Sequence, residues 1–130
     1  GVAGARSAAP IATAWAVLRH LGIEGYVDFT RGLVDTTAAV RGGIESIAEL
    51  ELVGDPIGPV LAMTSGSVAI AGVGNAMDDR GWHLNRIVDP PGLHLMLSPA
   101  HAFVVDDLLA DLRTAVAAPR NDGTREVRYS

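Results

Sequence analysis

The sequence comprises 130 residues, of which 48% are hydrophobic and 19% charged, with a formal net charge of −5. This composition predicts a folded chain of about one domain. An acidic balance without a basic cluster argues against nucleic acid as a partner, and no apolar run approaches the roughly 20 residues of a membrane helix. The absence of cysteine excludes disulfides and fits a cytoplasmic protein.

The first two predicted elements are helices. Apolar residues at helical spacing from Ile11 onward predict a helix over about 10–21, with Pro10 in its first turn and Gly22 as its stop. We expect the helix that follows to fray near Gly42, because glycine weakens helices. That helix has about 22 residues and an apolar face spaced by three or four: Tyr26, Phe29, Leu33, Thr37, Val40, Ile44 and Ile47.

The length of this second helix is roughly 33 Å at 1.5 Å per residue, which exceeds the roughly 14 Å radius of a globule of this size. A helix of that length suits a connector between two bodies. We therefore expect a further domain or a second copy to cover its apolar surface. The start at Gly1, without an initiator methionine, likewise predicts a chain cut from a longer one.

A strand pair and a third helix are predicted next. Residues 49–53 alternate in polarity, and 59–65 form a second apolar strand that pairs with them in antiparallel fashion. The helix after this pair has Ser65 or Ser67 as its N-cap and Gly81 as its stop.

Two more strands and a final helix complete the prediction. The strands cover 83–88 and 93–98, and Ser98 begins a helix that ends near 118. The order of two helices followed by ββαββα predicts an α+β fold, a small antiparallel sheet with helices over one face. The predicted parts are a helical segment (1–47), a small C-terminal domain (48–118) and a flexible tail (119–130).

Few of these residues offer chemistry by themselves. Three histidines lie on or beside the last two strands and could bind zinc if an aspartate joined them: His83, His94, His101 and Asp89. Partly buried or loop-facing histidines are the favoured interpretation. The tryptophans and methionines at apolar-periodic positions are interpreted as core rather than as the lining of a cofactor cleft: Trp15, Trp82, Met63, Met77 and Met96.

Several short blocks resemble one enzyme family in order and in spacing. They are Ala3-Gly4-Ala5-Arg6-Ser7, Trp15 to Gly22, Glu24-Gly25-Tyr26, Gly81 to Arg86 and Pro90 to Leu95. The family is that of the sphingosine-1-phosphate lyases, whose blocks read A-G-S-R-P-G, W-A-A-L-x-H-x-G, G-Y, G-W-N-L-N and P-P-x-I-H. The resemblance covers about residues 1–118, and the same group includes the group II amino-acid decarboxylases.

The resemblance implies the aspartate-aminotransferase fold, called fold type I, in which a large domain binds pyridoxal phosphate through a lysine and a small C-terminal domain follows. All ten basic residues of this chain are arginine. It would therefore be the C-terminal part of a homodimeric lyase, inactive alone, with the cofactor bound mainly by a missing upstream domain. The implied reaction is retro-aldol cleavage of a phosphorylated long-chain amino alcohol to an aldehyde and phosphoethanolamine.

The resemblance also implies a contact with the cofactor phosphate across the subunit boundary. The family serine that makes this contact is replaced here by Ala5. The candidate cofactor-binding residues are therefore Gly4, Ala5, Arg6 and Ser7, through backbone amides and the Ser7 hydroxyl. Arg6 alternatively fixes the segment by a salt bridge. Structural roles are favoured for three further matches: Trp82, Asn85 and His94.

Two other functions stay open. Amino-acid decarboxylation within the same family is the nearer one. The other is an autonomous, non-catalytic module for ligand binding or dimerisation, since a fold does not fix a function. No residue of this chain is predicted to be catalytic or to bind a metal ion.

Overall fold

A computed structural model of the protein describes residues 6–120. Its elements are α1 (Ala9–Glu45), β1 (Glu51–Leu52), β2 (Val60–Thr64), α2 (Ile70–Asp78), β3 (Asn85–Ile87), β4 (Gly92–Met96), a 3₁₀ helix (Pro99–Phe103) and α3 (Val105–Ala117). This order confirms the predicted α+β succession. No helix within residues 6–120 is both long enough and apolar enough to cross a membrane.

Gly22 divides α1 into two helical segments. Its φ of 62° and ψ of −179° lie in a region that glycine alone adopts readily. The chain is helical over 9–21 and again over 23–45, so the predicted stop at Gly22 is confirmed. By internal contacts the chain divides into two compact units after Arg31. The boundary expected near residue 47 stays a prediction.

The four strands form one antiparallel sheet in the order β1-β2-β4-β3. In the central pair, Leu61 lies opposite Leu95 and Met63 lies opposite Leu93, and all four side chains are buried. Their face of the sheet supports the core. The helical residues that complete this core include Val40, Ile44, Val73, Met77, Leu108 and Leu112.

The opposite face of the two central strands carries alternate residues of the same strands. We call it the outer sheet face and define it by Val60 and Ala62 of β2 and by their register partners Met96 and His94 of β4. Val60 and Met96 are exposed. The helices of the core therefore lie over one face of the sheet, as predicted.

Two helix starts differ from the prediction. Ser65 does not cap α2, because its hydroxyl donates to the Glu49 carbonyl and accepts two backbone N–H groups of the following turn. α2 instead begins after Ala69, without a side-chain cap. Ser98 begins the 3₁₀ helix rather than α3, and its backbone N–H donates to Nδ1 of His101 at 2.9 Å.

The expected fraying near Gly42 is wrong, since α1 stays helical through Glu45. Gly43 lies directly against Leu109 of α3, and a Cβ at position 43 would overlap the leucine side chain. The close approach of α3 thus stabilises the end of a helix that propensity alone leaves weak.

The predicted buried face of the second helix is only partly right. Val40 is 1% exposed, whereas Tyr26 and Phe29 are 38% and 51% exposed. Trp15 and Met96, interpreted as core, are 64% and 65% exposed. Periodicity tells which residues share a face, but burial also requires a second surface to cover that face.

Candidate functional site

The segment predicted to contact the cofactor phosphate lies at the start of α1. Gly4 and Ala5 lie outside the described residues. Arg6 and Ser7 are both exposed, and the Ser7 hydroxyl accepts the N–H of Ala9 at 3.3 Å. That acceptor role leaves the hydroxyl proton of Ser7 available to donate.

The surroundings of Arg6 and Ser7 suit a negative charge. The dipole of a helix favours an anion at its start. In α1 the N–H of Ala9 donates to Ser7 and Pro10 has no N–H, so the dipole and the Arg6 guanidinium are what favour an anion here. Arg6 forms no ion pair with any other residue in the range 6–120, so the alternative of a local salt bridge finds no partner there. The phosphate contact itself stays a prediction.

An apolar cleft of about 710 Å³ lies along the bend of α1 at Gly22. Its lining consists of Leu18, Arg19, Gly22, Ile23, Tyr26, Val27 and Thr30. The Arg19 guanidinium lies 5.7 Å from the centre of the Trp15 ring, within the range of a cation–π contact. A cleft of this size and lining suits an apolar group. The sequence did not predict it, because it depends on the bend.

The other three residues that match the family do not form one site. Asn85 and His94 are register partners on β3 and β4. Trp82 is half-buried, and its indole Nε1 donates to Oδ2 of Asp111 on α3 at 2.7 Å. The structural role predicted for Trp82 is therefore confirmed, since it ties the start of β3 to α3.

The histidines considered for zinc lie in different surroundings. Nδ1 of His83 is 3.3 Å from Oδ1 of Asp78, and the His101 ring lies against Ser98. His94 lies within the sheet. Within residues 6–120, no three His, Asp or Glu side chains are close enough together to hold a metal ion.

A buried polar network joins α2 to β3. Nη2 of Arg86 donates to Oδ2 of Asp78 at 2.6 Å and to Oδ1 of Asn75 at 3.2 Å, and Nη1 donates to the Leu84 carbonyl. Gly74 makes room for this guanidinium, since a Cβ there would lie 2.5 Å from Cζ of Arg86. No sequence pattern predicted this network, because the paired residues belong to different elements.

A second set of contacts fastens the loop after β1 to α1. Arg41 donates through Nε to Glu45 at 3.0 Å, pairs with Asp55 at 2.7 Å and donates through Nη1 to the Pro56 carbonyl at 3.0 Å. The hydrogen bond with Glu45, followed by that with Asp55, raises the pKa of Arg41 above its ordinary value. The guanidinium is charged at every physiological pH, so this anchor does not switch with pH.

The polar contacts of Arg41, Trp82 and Arg86 each hold two chain segments together. Lysine is absent from the sequence, so covalent attachment of pyridoxal phosphate requires an amine from elsewhere. What the chain does offer is an anion-favouring helix start and an apolar cleft in the unit before Gly32. This donor set fits contact with a phosphate and not anchorage of a whole cofactor.

No family model matches the chain. Over 115 residues it is 36% identical to the sphingosine-1-phosphate lyase of Arabidopsis thaliana, a match covering 88% of this chain and 21% of that protein. It is 33% identical over 121 residues to a probable L-tyrosine/L-aspartate decarboxylase of Methanothrix thermoacetophila, covering 92% of this chain and 31% of that protein. The chain thus spans between a fifth and a third of these relatives.

Solved structures agree with these sequence matches. The sphingosine-1-phosphate lyase of Burkholderia pseudomallei superposes with a TM-score of 0.84 at 33% identity, covering 94% of this chain and 28% of that one. The cystine C-S lyase C-DES superposes with a TM-score of 0.58 at 12% identity over 66% of this chain and 24% of that one, a likeness of fold alone. The predicted fold class is confirmed. The chain is therefore similar, over nearly its whole length, to one segment of the sphingosine-1-phosphate lyases.

Proposed function

We propose that this chain is the C-terminal segment of a pyridoxal-phosphate-dependent carbon–carbon lyase and is not active by itself. The whole enzyme would cleave a phosphorylated long-chain amino alcohol to an aldehyde and phosphoethanolamine. The observation that carries the proposal is the superposition on the Burkholderia pseudomallei lyase, which covers 94% of this chain at a TM-score of 0.84. When bound, the cofactor supplies the electron sink for breaking the carbon–carbon bond.

Because this chain has no lysine, the cofactor site and the substrate side of the enzyme belong to different segments in this proposal. An upstream domain of the same polypeptide holds the cofactor, and this chain contributes to the substrate side and to the boundary between two subunits of a homodimer. The large apolar side chains left exposed on 9–31 support such a boundary; they include Ile11, Trp15, Leu18, Ile23 and Phe29. Monomeric soluble proteins rarely expose large apolar patches.

At that boundary, Arg6 and Ser7 contact the cofactor phosphate of the neighbouring subunit. The family serine is absent at Ala5, so the Ser7 hydroxyl and the backbone amides of Gly4, Ala5 and Arg6 provide the donors. The exposed Arg6 guanidinium supplies the positive charge. Each neutral or charge-assisted hydrogen bond of this kind contributes about 1–2 kcal/mol.

The test of the reaction uses the full-length protein that contains this chain. We expect borohydride to trap a lysine adduct of pyridoxal phosphate, and we expect a phosphorylated amino alcohol to yield aldehyde. Release of carbon dioxide from an amino acid instead would favour the decarboxylase alternative, which the 33% identity to the Methanothrix protein supports. Absence of both the adduct and the products would favour the non-catalytic module.

The test of the phosphate contact compares two arginine variants. Arg6→Met should weaken the affinity of the full-length protein for pyridoxal phosphate roughly tenfold, as expected for one lost charge-assisted contact. Arg31→Met makes the same charge change at an exposed arginine that pairs with Asp28. Equal cofactor affinities in the two variants would contradict the contact without contradicting the lyase reaction.

The cysteine-free composition also supports a cytoplasmic location for the whole protein. Cell fractionation followed by detection of the full-length protein tests this part of the proposal. Recovery in a secreted or oxidising fraction would contradict it.

A further inference from the structure

A histidine holds the turn that leads from the sheet into α3. The backbone N–H of Ser98 donates to Nδ1 of His101 at 2.9 Å, and the backbone N–H of His101 donates in return to the Ser98 carbonyl at 3.0 Å. At the far end of the turn, the Val104 N–H donates to the His101 carbonyl at 3.0 Å, directly before α3 begins. We call residues 98–104 the β4–α3 joint, because they connect the last strand to the last helix.

The hydrogen bond to Nδ1 defines the protonation state of the His101 ring. A backbone N–H only donates, so Nδ1 must accept. In neutral imidazole one ring nitrogen accepts and the other carries the proton, whereas in the cation both nitrogens donate. The structure therefore requires a neutral His101 with its proton on Nε2. In a capping box of this kind the position is usually occupied by glutamate or glutamine, and the amide oxygen of glutamine accepts at every pH.

A protonated His101 ring has other partners in the same place. The hydroxyl oxygen and the carbonyl oxygen of Ser98 lie 3.0 Å and 3.3 Å from Nδ1. Both oxygens accept hydrogen bonds, so the cation can donate to either of them without leaving the turn. The Ser98 N–H then loses its acceptor, and water replaces it because Ser98 is exposed. Protonation thus exchanges one set of contacts for another within the β4–α3 joint.

The charged groups near His101 do not oppose this exchange. The polar contacts of its ring within residues 6–120 all go to Ser98. None of the ion pairs formed in that range includes His101. The carboxylates nearest to it along the chain, Asp106 and Asp107 in the first turn of α3, are exposed and belong to none of those pairs either. Proton uptake by the ring therefore changes its contacts with Ser98 and breaks no salt bridge among the described residues.

We propose that His101 makes the β4–α3 joint sensitive to pH. With a neutral ring, the bond from the Ser98 N–H to Nδ1 closes the joint. With a protonated ring that bond is lost and the Ser98 amide opens to water. Imidazole is the side chain that ordinarily titrates between about pH 5 and 8, so the change falls within the physiological range. The proposal is independent of the lyase reaction, because every group in it belongs to this segment.

Hydrogen exchange of the full-length protein tests the proposal. Exchange at the Ser98 amide is measured at single-residue resolution by mass spectrometry between about pH 5 and 8. The measured rate is compared with the intrinsic rate of an unprotected amide at each pH, which gives a protection factor. Amides of β4, followed in the same samples, report any general loosening of the sheet at low pH.

We expect the protection factor of the Ser98 amide to fall roughly two- to tenfold from about pH 8 to about pH 5, as the loss of one neutral hydrogen bond predicts. His101→Gln should keep the protection and abolish its pH dependence, because the amide oxygen accepts at every pH. His101→Ala should lack the protection at every pH. His83→Gln is the matched control, because it removes an exposed histidine that pairs with Asp78, and it should leave the dependence at Ser98 unchanged.

Either of two results would overturn the proposal. One is a protection factor at Ser98 that stays constant with pH while the protein remains folded. The other is the same pH dependence in His101→Gln as in the unsubstituted protein, since the titrating group would then lie elsewhere. A fall at Ser98 that is absent from His101→Gln and from the β4 amides would support the proposal, whether or not the full-length protein proves to be a lyase.

Discussion

Asp78 is the residue whose loss should destabilise the sheet-bearing unit most directly. Its carboxylate lies 2.6 Å from Nη2 of Arg86, and the two side chains are 18% and 16% exposed. Asp78→Ala leaves the guanidinium in the same half-closed space, where its remaining acceptors among residues 6–120 are the carbonyl of Leu84 and the Oδ1 of Asn75. A partly buried positive charge then lacks its counter-charge.

The expected loss follows from three terms. Breaking a fully buried pair by removing one partner costs about 3–5 kcal/mol. The remaining exposure of the pair and the two retained acceptors reduce that cost. A negative charge at the last residue of α2 also interacts unfavourably with the helix dipole, so its removal stabilises the helix by about 0.3–1 kcal/mol. We therefore expect the free energy of unfolding to fall by about 2–3 kcal/mol. At a urea dependence of about 1.5 kcal/mol per molar, the midpoint falls by about 1.3–2 M.

Urea unfolding followed by tryptophan fluorescence measures this change. The protein has two tryptophans, and replacing Trp15 by Phe leaves Trp82 as the reporter beside the network. Asp35→Ala is the matched control, because Asp35 is exposed on α1 and its loss should change stability by no more than about 0.5 kcal/mol. A midpoint for Asp78→Ala equal to that of the control would refute the reasoning.

A double-mutant cycle separates the pair from its surroundings. Arg86→Met alone leaves the acceptors of the guanidinium without a donor. It should therefore lower the free energy of unfolding at least as much as Asp78→Ala. The double variant should lose less stability than the sum of the two single variants, by about 1–3 kcal/mol, because the pair is lost only once. Strict additivity would mean that the two side chains do not interact.

Three other substitutions test the contacts around this unit. Gly74→Ala should lower the free energy of unfolding by about 1–3 kcal/mol despite the better helix propensity of alanine, because its Cβ crowds the Arg86 guanidinium; an unchanged urea midpoint would contradict the close approach. Trp82→Phe should cost about 1–2 kcal/mol by removing the N–H donated to a carboxylate of α3, measured by circular dichroism in urea. Arg41→Met should speed amide hydrogen exchange in the loop 54–58 and leave the sheet amides unchanged, while equal acceleration in both would mean that Arg41 stabilises the whole unit.

Local signals in the sequence were sufficient for the order of elements. Apolar spacing gave the two segments of α1, and Gly22 marked their junction because its positive φ excludes most other residues. Alternating and apolar runs gave the strand pairs. The matched blocks gave the family resemblance, and the lack of lysine excluded covalent attachment of pyridoxal phosphate within these 130 residues.

Capping was less predictable than periodicity. Ser65 and Ser98 were both plausible helix starts, yet Ser65 fastens a turn to the Glu49 carbonyl and Ser98 begins a 3₁₀ turn. A serine hydroxyl has several backbone partners within reach, and the path of the neighbouring chain selects one of them. The local sequence does not specify that path.

By itself, the sequence determined the order of the elements, the fold class and the family resemblance, because these depend on patterns a few residues long. Only the tertiary structure decided that Val40 is buried while Phe29 is exposed, that Asp78 meets Arg86, and that Nδ1 of His94 is buried without a hydrogen-bond partner among residues 6–120. Each of these facts depends on the distance between elements that are separate in the chain. Burial and ion pairing are properties of that packing, and no periodic pattern within one element can specify them.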